Sequence, residues 1–423
     1  MQHQIKLKQG RERSLFYRHP WIFSGAIEQK SIPAEMNDGD ICAVCDAGGN
    51  FLATGYYNSR SNIAVRVLSF DESDVIDENF WARRLGDAYK FRQKFIDEKN
   101  TNALRVVFAE GDMLPGLVID KYGDVLVVQI HTLGMDKMRS EVVRALVKFF
   151  NPSCIYERSD VAARKQDGLK DLPCGLLYGN ESSLDGLKIR ENGLEFHIDV
   201  RGGQKTGFFL DQRENRLASM KYTAGSKVLN LFSYSGGFSA YALSAGALHV
   251  TSVDASEEAV KLCSENLSLN GFSSNQHEEI CGDVFKYLES CRSSGKKFGL
   301  VIVDPPAFVK SQKNVDAALK AYAKLNEAAL GVLEDGGVLI SSSCSHYVPA
   351  ELFRKSLFQA ALHAKKDLRL MESRTQPIDH PVRLYFPEGE YLKFFVLGGC
   401  VSIFVRKVGS DQLFFFLHFD AYS

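Results

Sequence analysis

Four segments in the second half of the chain place a glycine-containing turn or an acidic side chain directly after an apolar run. The first supplies the turn, the other three supply the carboxylates of Asp254, Asp283 and Asp304, and the thiol of Cys344 follows a further apolar run. Carboxylates accept hydrogen bonds from hydroxyl and amino groups, and a cysteine thiolate is a nucleophile. If the apolar runs are neighbouring parallel strands, their carboxyl ends meet at one edge of a sheet, where ligands bind. The four segments therefore predict one binding site, and Cys344 follows a strand end on the same edge, although such a cysteine alone is more often a buried structural residue.

A glycine-containing segment follows the first of these runs. It reads Asn230-Leu231-Phe232-Ser233-Tyr234-Ser235-Gly236-Gly237-Phe238, and its glycines allow a ligand to approach the backbone closely. The segment matches neither GxGxxG nor GxxxxGK[ST], which argues against a dinucleotide-binding or P-loop protein. Asp254, about twenty residues later, is placed to accept both hydroxyls of a ribose, and Asp283 to bind an adenine amino group. Each acid alone could be a helix N-cap, but together they favour a nucleoside-type cofactor.

The elements that would position these residues alternate between strands and helices. Predicted strands cover residues 227–232, 249–254, 279–281, 298–303 and 337–342. Predicted helices cover residues 238–245, 257–270 and 315–332. This alternation predicts a doubly wound, Rossmann-like α/β sheet.

Two smaller regions precede that sheet. Residues 40–46, 51–57 and 62–70 read as short strands joined by tight turns, which predicts a small β-barrel. Predicted helices at 78–99 and 135–150, with strands at 104–108, 116–120, 125–131 and 155–157, indicate an α+β region. We therefore divide the chain into a barrel at 1–71, a central domain at 72–190, a doubly wound domain at 191–397 and a tail at 398–423.

Basic residues are interleaved with aromatic ones near the N-terminus. The segment contains Lys6, Lys8, Arg11, Arg13, Phe16, Tyr17, Arg18 and Trp21. Cations suit the phosphates of RNA and aromatic rings suit its bases, but the same pattern is typical of a solvated edge above core aromatics. Two interpretations, phosphate contacts or exposed surface charges, are equally open for Arg158, Arg164 and Lys165.

The overall composition limits the class of protein. Lys and Arg number 51 against 52 Asp and Glu, and this net charge of -1 excludes a globally basic protein. The longest apolar stretch, at 394–405, is shorter than the roughly 18 residues of a membrane span, and the N-terminus lacks the apolar core of a secretory signal. Nine scattered cysteines then indicate reduced thiols in the cytoplasm. Cys42 and Cys45 form a CxxC without a second pair, so we expect no metal site.

Several motifs resemble those of one enzyme family. NLFSYSGGFS at 230–239, GDV at 282–284, DPPAF at 304–308 and SSSCSH at 341–346 resemble class I S-adenosylmethionine-dependent methyltransferases. With GQKTGFFLDQR at 203–213 and HPWIF at 19–23, the chain is most similar to the bacterial large-subunit rRNA cytosine-C5 methyltransferases that carry an N-terminal PUA domain. The resemblance extends to about residue 397.

The resemblance implies a cofactor, a partner and roles for particular residues. The cofactor is S-adenosylmethionine, and the implied contacts are Lys205, Phe208, Asn230, Phe232, Ser233, Tyr234, Gly236, Phe238, Asp254, Asp283, Val284 and Asp304. Cys344 would be the nucleophile that adds to C6 of cytosine, Asp304 would hold the edge of the base, and His346 is a further candidate for assisting proton transfer. The implied partner is 23S rRNA or a large-subunit precursor, without a membrane. Pro306 and Ala307 stand where two-cysteine relatives carry a second cysteine, so the chain resembles the single-cysteine class.

Other interpretations stay open at this point. An RNA N-methyltransferase would use the same cofactor without a cysteine, and a non-catalytic RNA-binding assembly factor would use neither. The aromatic tail at 398–423 departs from the family pattern. The tail is compatible with three roles: it could complete the edge of the sheet, pack at the surface of a homodimer or form an unusual extension.

Overall fold

A computed structural model describes residues 3–309 and 314–399 of the chain. Three alternative roles are predicted for the tail at 398–423. Only residues 398 and 399 of this tail lie within the described ranges. Three larger sheets and one hairpin make up the described fold. The predicted class, a Rossmann-like α/β sheet preceded by a small β domain and an α+β region, is confirmed.

The N-terminal region is a mixed five-stranded sheet. It contains β1 (His3–Lys6), β2 (Trp21–Phe23), β3 (Ile41–Cys45), β4 (Phe51–Tyr57), β5 (Ile63–Ser69) and the short helix α1 (Arg13–Phe16). The order across the sheet is β1-β3-β4-β5-β2. The chain that follows β1 also pairs with the chain that follows β2, at the other edge of the sheet. Leu7 and Ile27 form a β-bridge there, and the Glu28 amide donates to the Lys6 carbonyl at 2.9 Å. The sheet therefore curves toward closure, in the manner of a barrel.

The central region packs helices against a second five-stranded sheet. Its elements are α2 (Glu78–Gln93), β6 (Ala103–Phe108), β7 (Leu117–Tyr122), β8 (Val125–Ile130), α3 (Leu133–Lys137), α4 (Arg139–Phe150), β9 (Cys154–Arg158), α5 (Ala162–Gln166) and β10 (Cys174–Gly179). The Asp77 carboxylate caps α2 by accepting from the Phe80 amide at 2.9 Å. The single helix predicted at 135–150 is instead two helices, because the backbone leaves helical geometry at Met138.

A hairpin and a short helix connect the central region to the third sheet. They are β11 (Lys188–Glu191), β12 (Leu194–His197) and α6 (Arg213–Ser219). The domain boundary predicted between residues 190 and 191 falls inside β11. Glu191 at the end of β11 forms a buried bidentate pair with Arg216 of α6, with both contacts at 2.8 Å. The hairpin is therefore fastened to the helix that leads into the third sheet.

The third sheet has seven strands, with helices between most of them. Its elements are β13 (Lys227–Leu231), α7 (Gly237–Ser244), β14 (His249–Asp254), α8 (Glu257–Leu269), β15 (His277–Cys281), α9 (Val284–Ser294), β16 (Phe298–Val303), α10 (Val315–Gly331), β17 (Leu333–Ser343), α11 (Ala350–His363), β18 (Leu368–Arg374) and β19 (Lys393–Gly399). The order is β15-β14-β13-β16-β17-β19-β18, and only β19 runs antiparallel to its neighbours.

The direction of winding changes between β13 and β16. The chain proceeds outward from β13 through β14 to β15, and then returns to β16 on the other side of β13. Such a switch point leaves a crevice at the carboxyl ends of the strands. Helices α9 and α11, which the sequence reading omitted, pack with α10 on one face of the sheet, and α7 and α8 pack on the other. No helix in the described ranges combines the length and the apolar content needed to cross a membrane.

A buried ionic junction joins the central region to the third sheet. Arg213 of α6 donates to both oxygens of Asp379, which follows β18, at 2.8 and 2.9 Å. The amide of Arg105 in β6 also donates to Asp379, at 3.0 Å, and the Arg105 side chain forms its own bidentate pair with Asp120 of β7. Although burial alone would raise it, the pKa of Asp379 lies far below its ordinary range because of the charges of Arg213 and His380.

Replacement of Asp379 by Ala is expected to destabilise the protein strongly. The change leaves the buried Arg213 guanidinium without its carboxylate, which costs about 3–5 kcal/mol in comparable buried pairs. Urea unfolding followed by circular dichroism measures the loss. Glu265→Ala, which removes an exposed pair with Lys261, is the control and should cost below about 1 kcal/mol. Equal losses in the two variants would contradict the structural importance of the junction.

Candidate active site

A cavity of about 780 Å³ opens at the carboxyl ends of the central strands of the third sheet. Most of the residues that the sequence assigns to the site line this cavity together. They are Lys205, Phe208, Phe232, Ser233, Tyr234, Phe238, Asp254, Asp283, Val284, Asp304 and Cys344. The topology thus brings Lys205 and Cys344, which lie 139 positions apart in the chain, into one site.

Asn230 and Gly236 do not contribute to the lining of the cavity. The Asn230 amide donates to the Ser239 hydroxyl at 2.9 Å, on a buried face of β13. Gly236 precedes α7 with a φ of 77°, and a Cβ atom there would lie 2.5 Å from the sulfur of Cys263. The two residues therefore support the loop from beneath, and a direct contact with the cofactor stays a prediction for both.

The loop after β13 is held in an unusual conformation by Asp254. Phe232 and Tyr234 have positive φ angles of 59° and 45°, which are uncommon outside glycine. One oxygen of Asp254 accepts from the Tyr234 amide at 2.9 Å, and the other accepts from the Ser256 amide at 3.0 Å. Each carboxylate oxygen retains a second lone pair that can face the cavity. Asp254 therefore both fixes the loop and offers acceptors to a ligand.

Asp283 combines the two roles that the sequence left open. One of its oxygens accepts from the Lys286 amide at 2.9 Å and so caps α9. The residue also lines the cavity next to Val284 and Phe285. An N-cap carboxylate and an adjacent apolar surface are suited to the polar edge and the face of a purine.

Lys205 and Asp211 form an ion pair at the opposite wall. The Lys205 amine lies 2.6 Å from one oxygen of Asp211, and the Tyr391 hydroxyl donates to the same oxygen at 2.6 Å. The other oxygen of Asp211 is buried without a hydrogen-bond partner in the described structure. Burial acts to raise the pKa of Asp211, but the charges of Lys205 and His380 hold it well below the ordinary range. An ionised acceptor is therefore available to a cationic group.

Asp304 lies at the end of β16 and is supported by Gln212. The Gln212 amide donates to Asp304 at 3.0 Å, while its own oxygen accepts from Asn215 at 2.7 Å. Burial and the nearby charge of Asp211 raise the pKa of Asp304 to about 6. A carboxyl group with this pKa can hold a proton more readily than ordinary aspartic acid can.

Cys344 follows β17 and is half-buried in the same cavity. Burial raises the pKa of its thiol, and the charges of Asp304 and Asp211 add to this effect. The charges of Lys205 and Lys393 act in the opposite direction. His346, the further candidate for proton transfer, has an exposed side chain and does not line the cavity.

Asp211, Gln212 and Tyr391 are site residues to which the sequence reading gave no role. Asp211 and Gln212 lie in the GQKTGFFLDQR stretch, so the signal was present as part of a motif. Tyr391 lies two residues before β19, 180 positions from Asp211, which it contacts, and no local pattern marks it.

The two arginines proposed for phosphate binding are structural. Arg158 is buried and donates to the carbonyls of Val200 and Gly203, and it also pairs with Asp160. Arg164 is fully buried and donates to the Ile130 carbonyl at 2.8 Å. The exposed-charge interpretation is wrong for both, because they are buried and are held by backbone carbonyls and by the carboxylates of Asp160, Asp136 and Asp171. Arg158 also lines the cavity, so a phosphate contact stays a prediction for it. Only Lys165 is exposed.

The residues present fit the expected cofactor, S-adenosylmethionine. Its cationic amino group matches the unpartnered oxygen of Asp211, and its ribose matches the acceptors of Asp254. The buried Ser233 hydroxyl also has no partner in the described structure and lines the cavity. In the described ranges, no group of three or more His, Cys, Asp or Glu side chains is arranged for a metal ion.

Replacement of Asp304 by Asn is expected to stabilise the protein at high pH. Because the folded-state pKa of about 6 exceeds the ordinary 3.8, the stability that Asp304 contributes falls as the pH rises from about 4 to about 6, and the full cost of its ionisation is present above pH 6. Asn removes this cost, roughly 1–2 kcal/mol at pH 8, and the advantage should shrink as the pH falls toward 4. Thermal melts at about pH 8 and pH 5 measure it, with the exposed Glu72→Gln as control. A variant that is no more stable than the wild type at the higher pH would contradict the raised pKa.

Two families of known domains match the chain. The S-adenosylmethionine-dependent methyltransferase family matches residues 160–375. The PUA-like domain matches residues 5–70, the part that forms the N-terminal sheet.

Curated relatives and solved structures agree with these matches. The protein named ribosomal RNA large subunit methyltransferase I from Aeromonas salmonicida is 42% identical over 393 residues, covering 93% of this chain and 98% of the relative. The protein of the same name from Klebsiella pneumoniae is 40% identical, covering 92% and 97%. A solved chain described as a methyltransferase complexed with SAH has a TM-score of 0.80 at 25% identity, covering 94% of this chain and 100% of that one. This chain therefore belongs to the S-adenosylmethionine-dependent methyltransferase family, within the group that includes the proteins named ribosomal RNA large subunit methyltransferase I, and S-adenosylmethionine is its cofactor.

Proposed function

We propose that this methyltransferase modifies C5 of one cytosine in large-subunit ribosomal RNA through a covalent bond between Cys344 and C6 of the base. The observation that carries the proposal is the position of a thiol and a carboxyl group in one cavity. Cys344 and Asp304 follow the neighbouring strands β17 and β16, whose residues Ser341 and Val303 are paired. A methyltransferase that acts on a nitrogen atom has no use for a thiol at this place.

The chemistry requires a nucleophile because C5 of cytosine is weakly nucleophilic. Addition of the Cys344 sulfur to C6 forms an S–C6 bond and moves an electron pair toward C5. S-adenosylmethionine, when bound, would supply the methyl group in electrophilic form: C5 would bond the methyl carbon while the bond from that carbon to the sulfonium sulfur breaks, and S-adenosylhomocysteine would leave with the electron pair. C5 then loses its proton to a base, the S–C6 bond breaks, and the sulfur leaves with its electron pair. The aromatic ring is restored, and the enzyme recovers the thiolate.

Asp304 is suited to hold the base during this addition. Electron density moves toward the ring nitrogen N3 when sulfur attacks C6, and a proton donated to N3 favours the adduct. Burial raises the pKa of Asp304 to about 6, so its carboxyl group can share a proton with N3 and accept from the exocyclic amino group. Gln212 fixes its orientation through the contact at 3.0 Å.

Two features support ribosomal RNA as the substrate. The close relatives carry names that specify the large ribosomal subunit, and the N-terminal region matches the PUA-like domain. On that region Phe16, Tyr17 and Phe23 are exposed to between 52% and 65%. Exposed rings beside arginines are suited to unstacked bases and phosphates. Such a substrate locates the enzyme in the cytoplasm, with 23S rRNA or its precursor as the partner.

The predicted homodimer and the role of the tail stay predictions. Sedimentation velocity of the full chain, compared with a chain that ends at residue 399, would test both. Loss of dimerisation in the shorter chain would assign the tail to a dimer surface.

Replacement of Cys344 by Ala is expected to abolish methylation while cofactor binding persists. The variant lacks the sulfur that activates C5, so the rate should fall by at least about 10³-fold. Transfer of tritiated methyl groups to unmodified large-subunit rRNA measures the rate, and calorimetry measures S-adenosylmethionine binding. Cys281→Ala is the matched control, because Cys281 is an exposed thiol that does not line the cavity.

A substrate analogue gives a second readout of the same step. RNA with 5-fluorocytosine at the target position cannot lose a proton from C5, so the adduct should persist with wild-type protein and be absent with Cys344→Ala. Undiminished methylation by Cys344→Ala would instead indicate an RNA N-methyltransferase. Absence of cofactor binding by the wild type would indicate an assembly factor.

Replacement of Asp254 by Ala is expected to weaken S-adenosylmethionine binding by roughly 10- to 100-fold. The variant loses the acceptors for the ribose and the contact that fixes the Tyr234 amide. Calorimetry measures the affinity. Asp254→Asn, which retains one acceptor oxygen, should have an intermediate affinity, and the exposed Lys261→Ala should bind as the wild type does. Wild-type affinity in Asp254→Ala would exclude the assigned ribose contact.

A further inference from the structure

A buried lysine lies on the strand next to the thiol. Lys393 is the first residue of β19, and its register partner on β17 is Ser343, which directly precedes Cys344. The side chain is 4% exposed. Its amine donates to the carbonyl of Ser345, directly after Cys344, and to the carbonyl of Tyr391 at 2.6 Å. The lysine thus holds the backbone immediately after the proposed nucleophile.

Lys393 has only carbonyl partners. Within residues 3–309 and 314–399, both of its hydrogen bonds go to backbone oxygens, and no carboxylate lies within ion-pair distance of its amine. Burying an ammonium group without a counter-ion is unfavourable. Burial lowers the pKa of Lys393 to about 8, although the charges of Cys344 and Glu390 act to raise it. An arrangement with this cost, located beside a thiol, indicates a role in the chemistry of that thiol.

The other charged groups around Cys344 do not supply an equivalent cation. Asp304 after β16 and Asp211 before α6 both disfavour a thiolate. Lys205 favours one, but its amine is engaged by the Asp211 carboxylate at 2.6 Å. The phenol groups of Tyr322 and Tyr391, on α10 and before β19, are the remaining titratable neighbours, and burial raises the pKa of both. In this part of the structure Lys393 is the cation that has no carboxylate as a hydrogen-bond partner, although Glu390 acts on it at longer range.

We propose that Lys393 is a positioning residue that stabilises the thiolate of Cys344, both when the sulfur adds to C6 and when it leaves. The proposal rests on the proposed function for its catalytic meaning, but it concerns a property of the free enzyme, the pKa of one thiol. The ammonium group lowers the free energy of the thiolate, and its contact with Ser345 fixes the turn that carries the sulfur. Lys393 itself does not need to touch the RNA or the cofactor.

The test is the pH dependence of alkylation at individual cysteines in the full chain. Iodoacetamide reacts with the thiolate, so its rate from about pH 6.5 to pH 10, resolved by mass spectrometry of peptides, reports each thiol pKa. Lys393→Gln keeps a hydrogen-bond donor and removes the charge, whereas Lys393→Met removes both. Met has a similar length and removes the cost of a buried charge, so this variant is expected to fold. The exposed Cys174 and Cys281 serve as internal references.

In both variants, the pH at which the alkylation rate of Cys344 is half-maximal, its midpoint, is expected to rise by about one unit or more. Alkylation of Cys344 at neutral pH should then be about tenfold slower. The midpoints for Cys174 and Cys281 should not move. A Cys344 midpoint in both variants that matches the wild type would overturn the proposal. A shift in Lys393→Met alone would also overturn it, because that result assigns a hydrogen-bonding role without a role for charge.

Methylation assays separate this proposal from the proposed function. If both are right, the pH profile of kcat for Lys393→Gln shifts to higher pH, together with the midpoint of Cys344 alkylation. If Cys344→Ala retains full activity, the covalent mechanism fails, while the alkylation data still decide the effect of Lys393 on the thiol.

Discussion

The shape of the active site depends on buried polar anchors that hold residues 203–216 against three other parts of the protein. Thr206 donates to Asp120 of the central sheet at 2.6 Å, and Arg213 pairs with Asp379. The pair between Arg216 and Glu191 fastens the same segment to the hairpin. Because a buried charge that loses its partner is strongly destabilising, the segment cannot leave one anchor without a large free-energy cost. A stretch without long regular structure thereby becomes a rigid wall of the cavity.

The anchors also determine the charges inside the cavity. Between Thr206 and Arg213 lie Asp211 and Gln212, and both point toward the strand ends of the third sheet. Asp211 engages Lys205 and contributes to the raised pKa of Asp304, while Gln212 orients Asp304. The central domain therefore acts on the chemistry at a strand end that belongs to another domain. A Rossmann-like sheet without the central region would lack Asp120, the anchor that fixes this wall through Thr206.

The parts of the site that follow from topology could be predicted from the sequence, and those that follow from tertiary packing could not. Parallel strands bring their carboxyl ends to one edge, which is why Asp254 and Cys344 were found to line one cavity. The strand order does not determine which way a side chain points, because neighbouring residues of a strand face opposite sides of the sheet. Asn230 therefore faces Ser239 and not the cavity. Arg164 resembled a surface charge because no local pattern marks its partners, which include the Ile130 carbonyl of β8 and the Asp136 carboxylate. Lys393 lies at the start of an apolar strand, where the pattern indicates only core.

Several groups that are unfavourable in a folded protein meet around the thiol of Cys344. Asp304 has a raised pKa, Lys393 is a buried cation, and Phe232 has left-handed backbone geometry. A site for binding alone gains nothing from such groups, because each lowers the stability of the fold. Under the proposed covalent mechanism, the thiol must be stable as an anion before it adds to the base and again when it leaves. The charge of Lys393 would lower the free energy of that anion, whereas the proton that Asp304 can hold would serve the base, and the buried anchors offset the loss of stability that these groups cause. This distribution of strain and charge is therefore the one that the proposed covalent mechanism predicts.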